Sequence, residues 1–179
     1  MTRIRTKYQT DVMPKLKKDF GYTNVHAIPR LVKVVVNVGI GRALKDPKFL
    51  ETVTKGLQQI TGQRPIKRAA RTSVAGFKIR AGMIVGVSVT LRGARMEDFI
   101  DRLVNVALPR VRDFQGIDPK GFGNSGHYTL GLKEHTVFPE TQSDDLDHTF
   151  GLEMTFVTTA KTSAEGLALL RYLGFPFRT

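Results

Sequence analysis

Cysteine is absent from the 179-residue chain, which excludes disulfides and thiolate zinc sites and agrees with a reducing compartment. Long apolar runs are also missing. None approaches the ~20 residues that a spanning helix needs. The opening stretch, MTRIRTKYQTDVMPKLKKDF, lacks the apolar centre of a signal peptide, and its Asp11 and Asp19 are foreign to acid-poor transit sequences. A cytoplasmic location without membrane contact is the expectation. Catalytic signatures are equally scarce. His26, His127, His135 and His148 show no HExxH or other metal spacing, and there is no G-x-S-x-G elbow or P-loop. Gly121-Phe122-Gly123-Asn124-Ser125-Gly126 matches G-x-G-x-x-G, but that motif needs a strand before it and a helix after it. Here Asp118-Pro119 precedes and a strand-like run follows, so it reads as a loop. Gly39-Ile40-Gly41 does follow a strand, yet Leu44 stands where a third glycine would be required. No catalytic residue, metal ligand or cofactor is expected.

What the chain does have is positive charge. A formal net charge of +12 and a pI near 10.2 create a field that collects polyanions. The charge is segregated. Thr52–Met96 holds nine basic residues (Lys55, Arg64, Lys67, Arg68, Arg71, Lys78, Arg80, Arg92, Arg95) and no acid, whereas Glu134–Glu153 holds six acids and no Lys or Arg. The plain reading of a charge run is a solvated face. Two separate blocks of opposite sign point instead to two partner surfaces, one for phosphates and one for something basic. Hydrophobic residues at 41% suffice for a packed core.

The apolar spacing organises the chain. Tyr8, Val12 and Leu16 predict an amphipathic helix over 3–19, interrupted by Pro14. Leu31–Val38 is β-branched and strand-like; Phe49, Val53, Leu57 and Ile60 predict a helix that stops at Gly62. Ile66–Ala70 and Met83–Arg92 read as strands, and Met96 to Ala107 as a helix ended by Pro109. Tyr128–Leu132 and Phe150–Thr158 are two more strands. A last helix opens on the capping box Thr162-Ser163-Ala164-Glu165 and closes at Gly174. With no repeat or linker, this is a single α+β domain over 1–179, an antiparallel-rich sheet with helices packed on one face.

Successive strand residues point to opposite sides. Val32, Val34, Val36 and Val38 share one side of the first strand; Leu31, Lys33, Val35 and Asn37 share the other. Val85, Val87, Val89 and Leu91 oppose Gly86, Ser88, Thr90 and Arg92, and Phe150, Leu152, Met154 and Phe156 oppose Gly151, Glu153, Thr155 and Val157. The greasy side of each strand serves the helices. The other side either meets water, as many antiparallel sheets do, or seats a partner. Its short side chains let a large partner approach the backbone, Asn and Thr can bond sugar hydroxyls and base edges, and Lys33 and Arg92 can neutralise phosphates. Aromatic stacking pairs are absent, so grip on the shape and backbone of folded RNA is the expected mode. The segment Arg71–Gly82 is long for a hairpin loop and carries three cations, two glycines and Phe77, which suggests work of its own.

Whole blocks carry a family likeness: PRLVKVVVNVGIG (29–41), ITGQRP (60–65), AGFKIRAG (75–82), VTLRGAR (89–95), FIDRLVNVALPRVRDF (99–114), YTLGLKEHTVFPE (128–140) and VTTAKTSAEGLALLRYLGFPF (157–177). End to end the chain resembles the universal 5S-rRNA-binding family of the large ribosomal subunit, the bacterial-type L five. The resemblance implies a non-enzymatic ribosomal protein that anchors 5S rRNA in the central protuberance through the sheet face away from the helices. Asn37, Gln63 and Thr90 match RNA-contacting positions; with Lys33, Arg64, Lys67, Ser88 and Arg92 they form the expected 5S rRNA site. It also implies contact with P-site tRNA through the 72–82 loop, at Thr72, Ser73, Gly76, Phe77, Lys78 and Arg80. A bridge to the basic small-subunit head protein thirteen is assigned to Glu140, Asp144, Asp145 and Asp147. Other 5S-binding ribosomal proteins of the large subunit are expected neighbours. Where the family has Asp-Gly-Arg-Gly-Asn-Tyr, this chain has Gly123-Asn124-Ser125-Gly126-His127-Tyr128, which leaves any contact from that loop open. The other classes in view are a nucleic-acid-modifying enzyme, which would need a catalytic cluster, and a DNA-architectural protein, which would prefer duplex DNA.

Overall fold

In a computed structural model, residues 2–41, 46–141 and 149–178 are described. Five strands follow the alternating segments: β1 (Leu31–Gly39), β2 (Ile66–Ala69), β3 (Ile84–Leu91), β4 (Tyr128–Leu132) and β5 (Leu152–Thr158). They form one sheet in the order β2-β3-β1-β5-β4. β2 and β3 are antiparallel, with Ile66 opposite Ser88 and Arg68 opposite Gly86. Between β1 and β5, Arg30 bonds Thr159 while Asn37 bonds Glu153. Numbers rise on one strand as they fall on the other, as antiparallel pairing requires. Thr129 against Thr155 and Leu132 beside Gly151 show the same for β4 and β5. The expected α+β class and antiparallel sheet are what the chain forms.

By internal contacts the chain divides into two compact units: Met1–Val35, Leu91–Leu130 and Met154–Thr179 form the first, Val36–Thr90 and Gly131–Glu153 the second. In the first, α1 (Arg3–Lys7) runs through a π-turn (Tyr8–Val12) into α2 (Met13–Phe20). Pro14 has no N–H, and its ring crowds the carbonyl four residues back. The chain responds with a wide turn in which the Met13 N–H reaches Tyr8 O. The same device ends α4 (Gly93–Arg102): a π-turn at Leu103–Ala107, closed by the Leu108 N–H on Leu103 O, sits just before Pro109. The helical path then continues as a 3-10 turn, Leu108–Arg110, instead of stopping short of the proline.

Ile4, Val12 and Leu16 are buried, and Lys7 Nζ donates to Leu173 O at 2.9 Å, capping the end of α5 (Ser163–Leu173). At the other end of α5 the expected capping box is made: Glu165 N donates to Thr162 Oγ1 at 3.3 Å and Thr162 N donates to Glu165 Oε2 at 3.4 Å, while Lys161 N adds a further bond to Oε2 at 2.8 Å. Burial raises the Glu165 carboxyl, but the neighbouring Tyr22 hydroxyl and these backbone donors outweigh it and hold its pKa below the ordinary value. Tyr128, Phe122, Phe156, Phe175 and Phe177 form an aromatic cluster with centroids 4.6–6.4 Å apart. The Tyr128 hydroxyl donates to Asp118 O at 2.9 Å, and burial, aided by the Asp118 charge, pushes its pKa up to about 12. The glycine-rich 121–126 segment is a loop, as expected. It turns back on itself through Gly123 N to His127 O, and Gly126 lies against α5, where a Cβ on Gly166 would fall 2.4 Å from Gly126 O.

In the second unit, α3 (Pro47–Thr61) starts on the Asp46 side chain, which accepts from Lys48 N and Phe49 N, and ends at left-handed Gly62. Val53, Leu57 and Ile60 are wholly buried. A Cβ on Gly56 would fall 2.9 Å from the Phe150 ring, so α3 lies on the greasy side of the residues leading into β5. On that side His135 stacks on Phe150 at 3.9 Å, and its Nδ1 accepts the Phe150 N–H at 3.3 Å.

Candidate nucleic-acid interface

Strand alternation decides which side chains reach the face away from α3. Val36, Val38, Val87, Val89 and Leu152 are buried on the greasy side, whereas Asn37, Gly39, Gly151 and Glu153 are exposed on the other. The split read from the sequence is the split the strands make. Within the second unit this open face runs from a basic margin to an acidic one. On β2, Ile66 and Arg68 share the face with Ser88 and Gly86 of β3. Arg68 Nε donates to Ser88 Oγ at 2.7 Å, which holds the guanidinium across the sheet. It also hides Ser88, which is only 6% exposed. Beside them Gln63 Nε2 donates to Thr90 O at 3.3 Å. Next along, on β1, Asn37 turns its amide nitrogen toward β5 and donates to Glu153 O at 3.0 Å and Glu153 Oε2 at 3.3 Å. A Cβ on Gly86 would meet Val38 O at 2.9 Å, so only glycine fits that close approach of β3 to β1.

Of the expected 5S rRNA residues, this face gathers Asn37, Gln63, Ser88 and Thr90. Lys67 is opposite Val87, so it leaves β2 on the other side. Arg64 is exposed just before β2. Lys33 is half-buried on β1 and Arg92 is exposed as the residue before α4; both belong to the first unit. Arg68 is the residue that sequence reasoning misses. Its side is fixed by the β2–β3 register, and alternation within β2 cannot supply that.

The 71–82 segment is ordered by its own bonds. Val74 and Ile79 form a two-way bridge, with Val74 N to Ile79 O at 2.9 Å and Ile79 N to Val74 O at 3.2 Å. Ala75–Phe77 is a 3-10 turn closed by Lys78 in the left-handed region, and Ala81 N donates to Ser73 Oγ at 2.9 Å. Phe77 stands 75% exposed at this tip, with Arg71, Thr72, Ser73, Gly76, Lys78 and Arg80 all exposed around it. Glu140 is half-buried near the end of the 3-10 turn Pro139–Thr141; Asp144, Asp145 and Asp147 lie outside the described residues. Among the described residues no group of acids and histidines is placed to hold a metal ion. No described helix is long and apolar enough to cross a membrane.

Comparison with known proteins agrees along the whole length. Residues 24–80 match the ribosomal protein L5 family, and residues 84–177 match the C-terminus of that family. The Large ribosomal subunit protein uL5 of Heliobacterium modesticaldum is 54% identical, with 99% of each chain covered. That of Picosynechococcus sp. is 51% identical over 98% of this chain and 97% of its own, and that of Carboxydothermus hydrogenoformans 50% identical over 99% of each. The chain therefore belongs to the ribosomal protein L5 family, a non-enzymatic structural constituent of the large ribosomal subunit.

Proposed function

We propose that the chain anchors 5S rRNA in the central protuberance of the large subunit through the open face of its sheet. The observation that carries this is the face itself: Asn37, Thr90 and Arg68 lie on a pleated surface lined by glycines and short side chains, opposite the side that α3 covers. Such a surface admits the backbone and base edges of folded RNA and offers hydrogen-bonding groups and a cation to them. The exposed basic tip at 72–82, with Phe77 outermost, is suited to P-site tRNA. The acid-rich segment around Glu140 is suited to a basic partner, the small-subunit head protein thirteen, and other 5S-binding proteins of the large subunit complete the neighbourhood. The work is done in the cytoplasm, on the ribosome.

A filter-binding titration tests the reading. Asn37→Ala combined with Thr90→Ala is expected to weaken 5S rRNA binding by ~2 kcal/mol or more, through lost buried hydrogen bonds. Unchanged affinity would count against the face. Shortening 72–82 is expected to leave 5S rRNA binding intact and lower tRNA affinity on assembled ribosomes. Loss of both would make the loop structural.

A further inference from the structure

The open face carries an acid, which a surface built only to hold phosphates would avoid. Glu153 is exposed on β5, and Asn37 is the partner the structure gives its carboxylate, through a hydrogen bond to Oε2 at 3.3 Å. That bond, with the one to Glu153 O, fixes the side chain against β1. Around it the backbone is bare. Gly39, Gly131 and Gly151 are all exposed, and side-chain atoms at Gly39 or Gly131 would meet nothing within 4 Å. A flat group can therefore come down onto the strands and present its edge to the carboxylate. Across the sheet, in the order β2-β3-β1-β5-β4, the cation Arg68 lies on the first strand and Glu153 on the fourth. The face is polarised: phosphate is attracted at the β2 margin and repelled at β5.

A carboxylate accepts hydrogen bonds and donates none, so it favours whatever brings N–H groups. On RNA these are the amino groups of cytosine, adenine and guanine and the imino groups of guanine and uracil, guanine alone presenting an imino and an amino group side by side. They are open to reading where a loop leaves a base unpaired. Resting on the RNA-binding reading of this face, we infer that Glu153, held by Asn37, is a specificity-determining residue that reads the N–H edge of an unpaired base, while Arg68 takes the phosphate backbone. It selects the cognate RNA by accepting from that base and by repelling any RNA that places a phosphate there.

The test uses the full chain, purified 5S rRNA, and a duplex RNA of unrelated sequence, titrated at several salt concentrations with thermal unfolding as the control for folding. Glu153→Ala is expected to weaken 5S rRNA binding about tenfold. It is expected to leave the slope of log affinity against log salt unchanged, and to leave duplex binding equal or tighter. Arg68→Ala is expected to weaken both RNAs and flatten that slope by roughly 0.7–0.9. If Glu153→Ala tightens both RNAs alike, or leaves 5S rRNA binding unchanged while Arg68→Ala weakens it, base reading by Glu153 is overturned and the RNA-binding face stands. If neither substitution changes 5S rRNA affinity, the face reading fails and this inference falls with it.

Discussion

His135 shows how a single buried side chain ties pH to stability. Its Nδ1 accepts the Phe150 N–H, which demands a neutral ring with the proton on the other nitrogen. Burial lowers its pKa below the ordinary value of 6.5, against smaller opposing effects from the Phe150 hydrogen bond and the Glu134 charge. The unfolded chain therefore binds the proton more readily than the folded one. Stability is full above the unfolded value of 6.5 and falls as the pH drops below it, levelling only once the folded group itself is protonated. Thermal unfolding between pH 8 and pH 5 is expected to show this loss, and His135→Phe is expected to shrink it; an unchanged pH dependence in the variant would assign the effect elsewhere. Legibility at this scale is uneven. Alternation alone puts Asn37, Ser88 and Thr90 on the open face. That the Ser88 hydroxyl is taken by Arg68 is not readable, because it depends on which β2 residue stands opposite Ser88.

Elements are legible where one local signal governs them. The Thr162–Glu165 box announces α5 in four residues, and Thr162→Ala is expected to cost ~1 kcal/mol in a denaturant titration. The two π-turns are hidden, since apolar spacing such as Val12 to Leu16 carries on through them and only the proline hints that the ladder must open. Tight approaches between elements are hidden as well. Gly166→Ala would drive a methyl onto Gly126 O, and about 1–3 kcal/mol of destabilisation is expected from chemical denaturation. An unshifted midpoint would show that α5 and the 123–126 turn are not held at that distance. By contrast, Phe77→Ala at the exposed tip of the 71–82 loop is expected to leave the unfolding midpoint unchanged, because the ring is 75% exposed and buries little.

On the scale of the whole molecule, the sequence displays the charge blocks, the two-sided strands and an end-to-end family likeness, which together lead to a ribosomal RNA-binding protein. It does not display the strand order β2-β3-β1-β5-β4, which brings residues far apart in the chain, such as Asn37 and Glu153, into one hydrogen-bonded pair. The absence of cysteine gives direct access to the central claim. A single thiol can be placed by Gly131→Cys on the open face, or by Glu51→Cys on the exposed side of α3, and its alkylation timed with and without 5S rRNA. With RNA at ten times its dissociation constant, alkylation at 131 is predicted to slow about tenfold while that at 51 is unaffected. Equal rates at 131 with and without RNA, or protection at 51 instead, would contradict it.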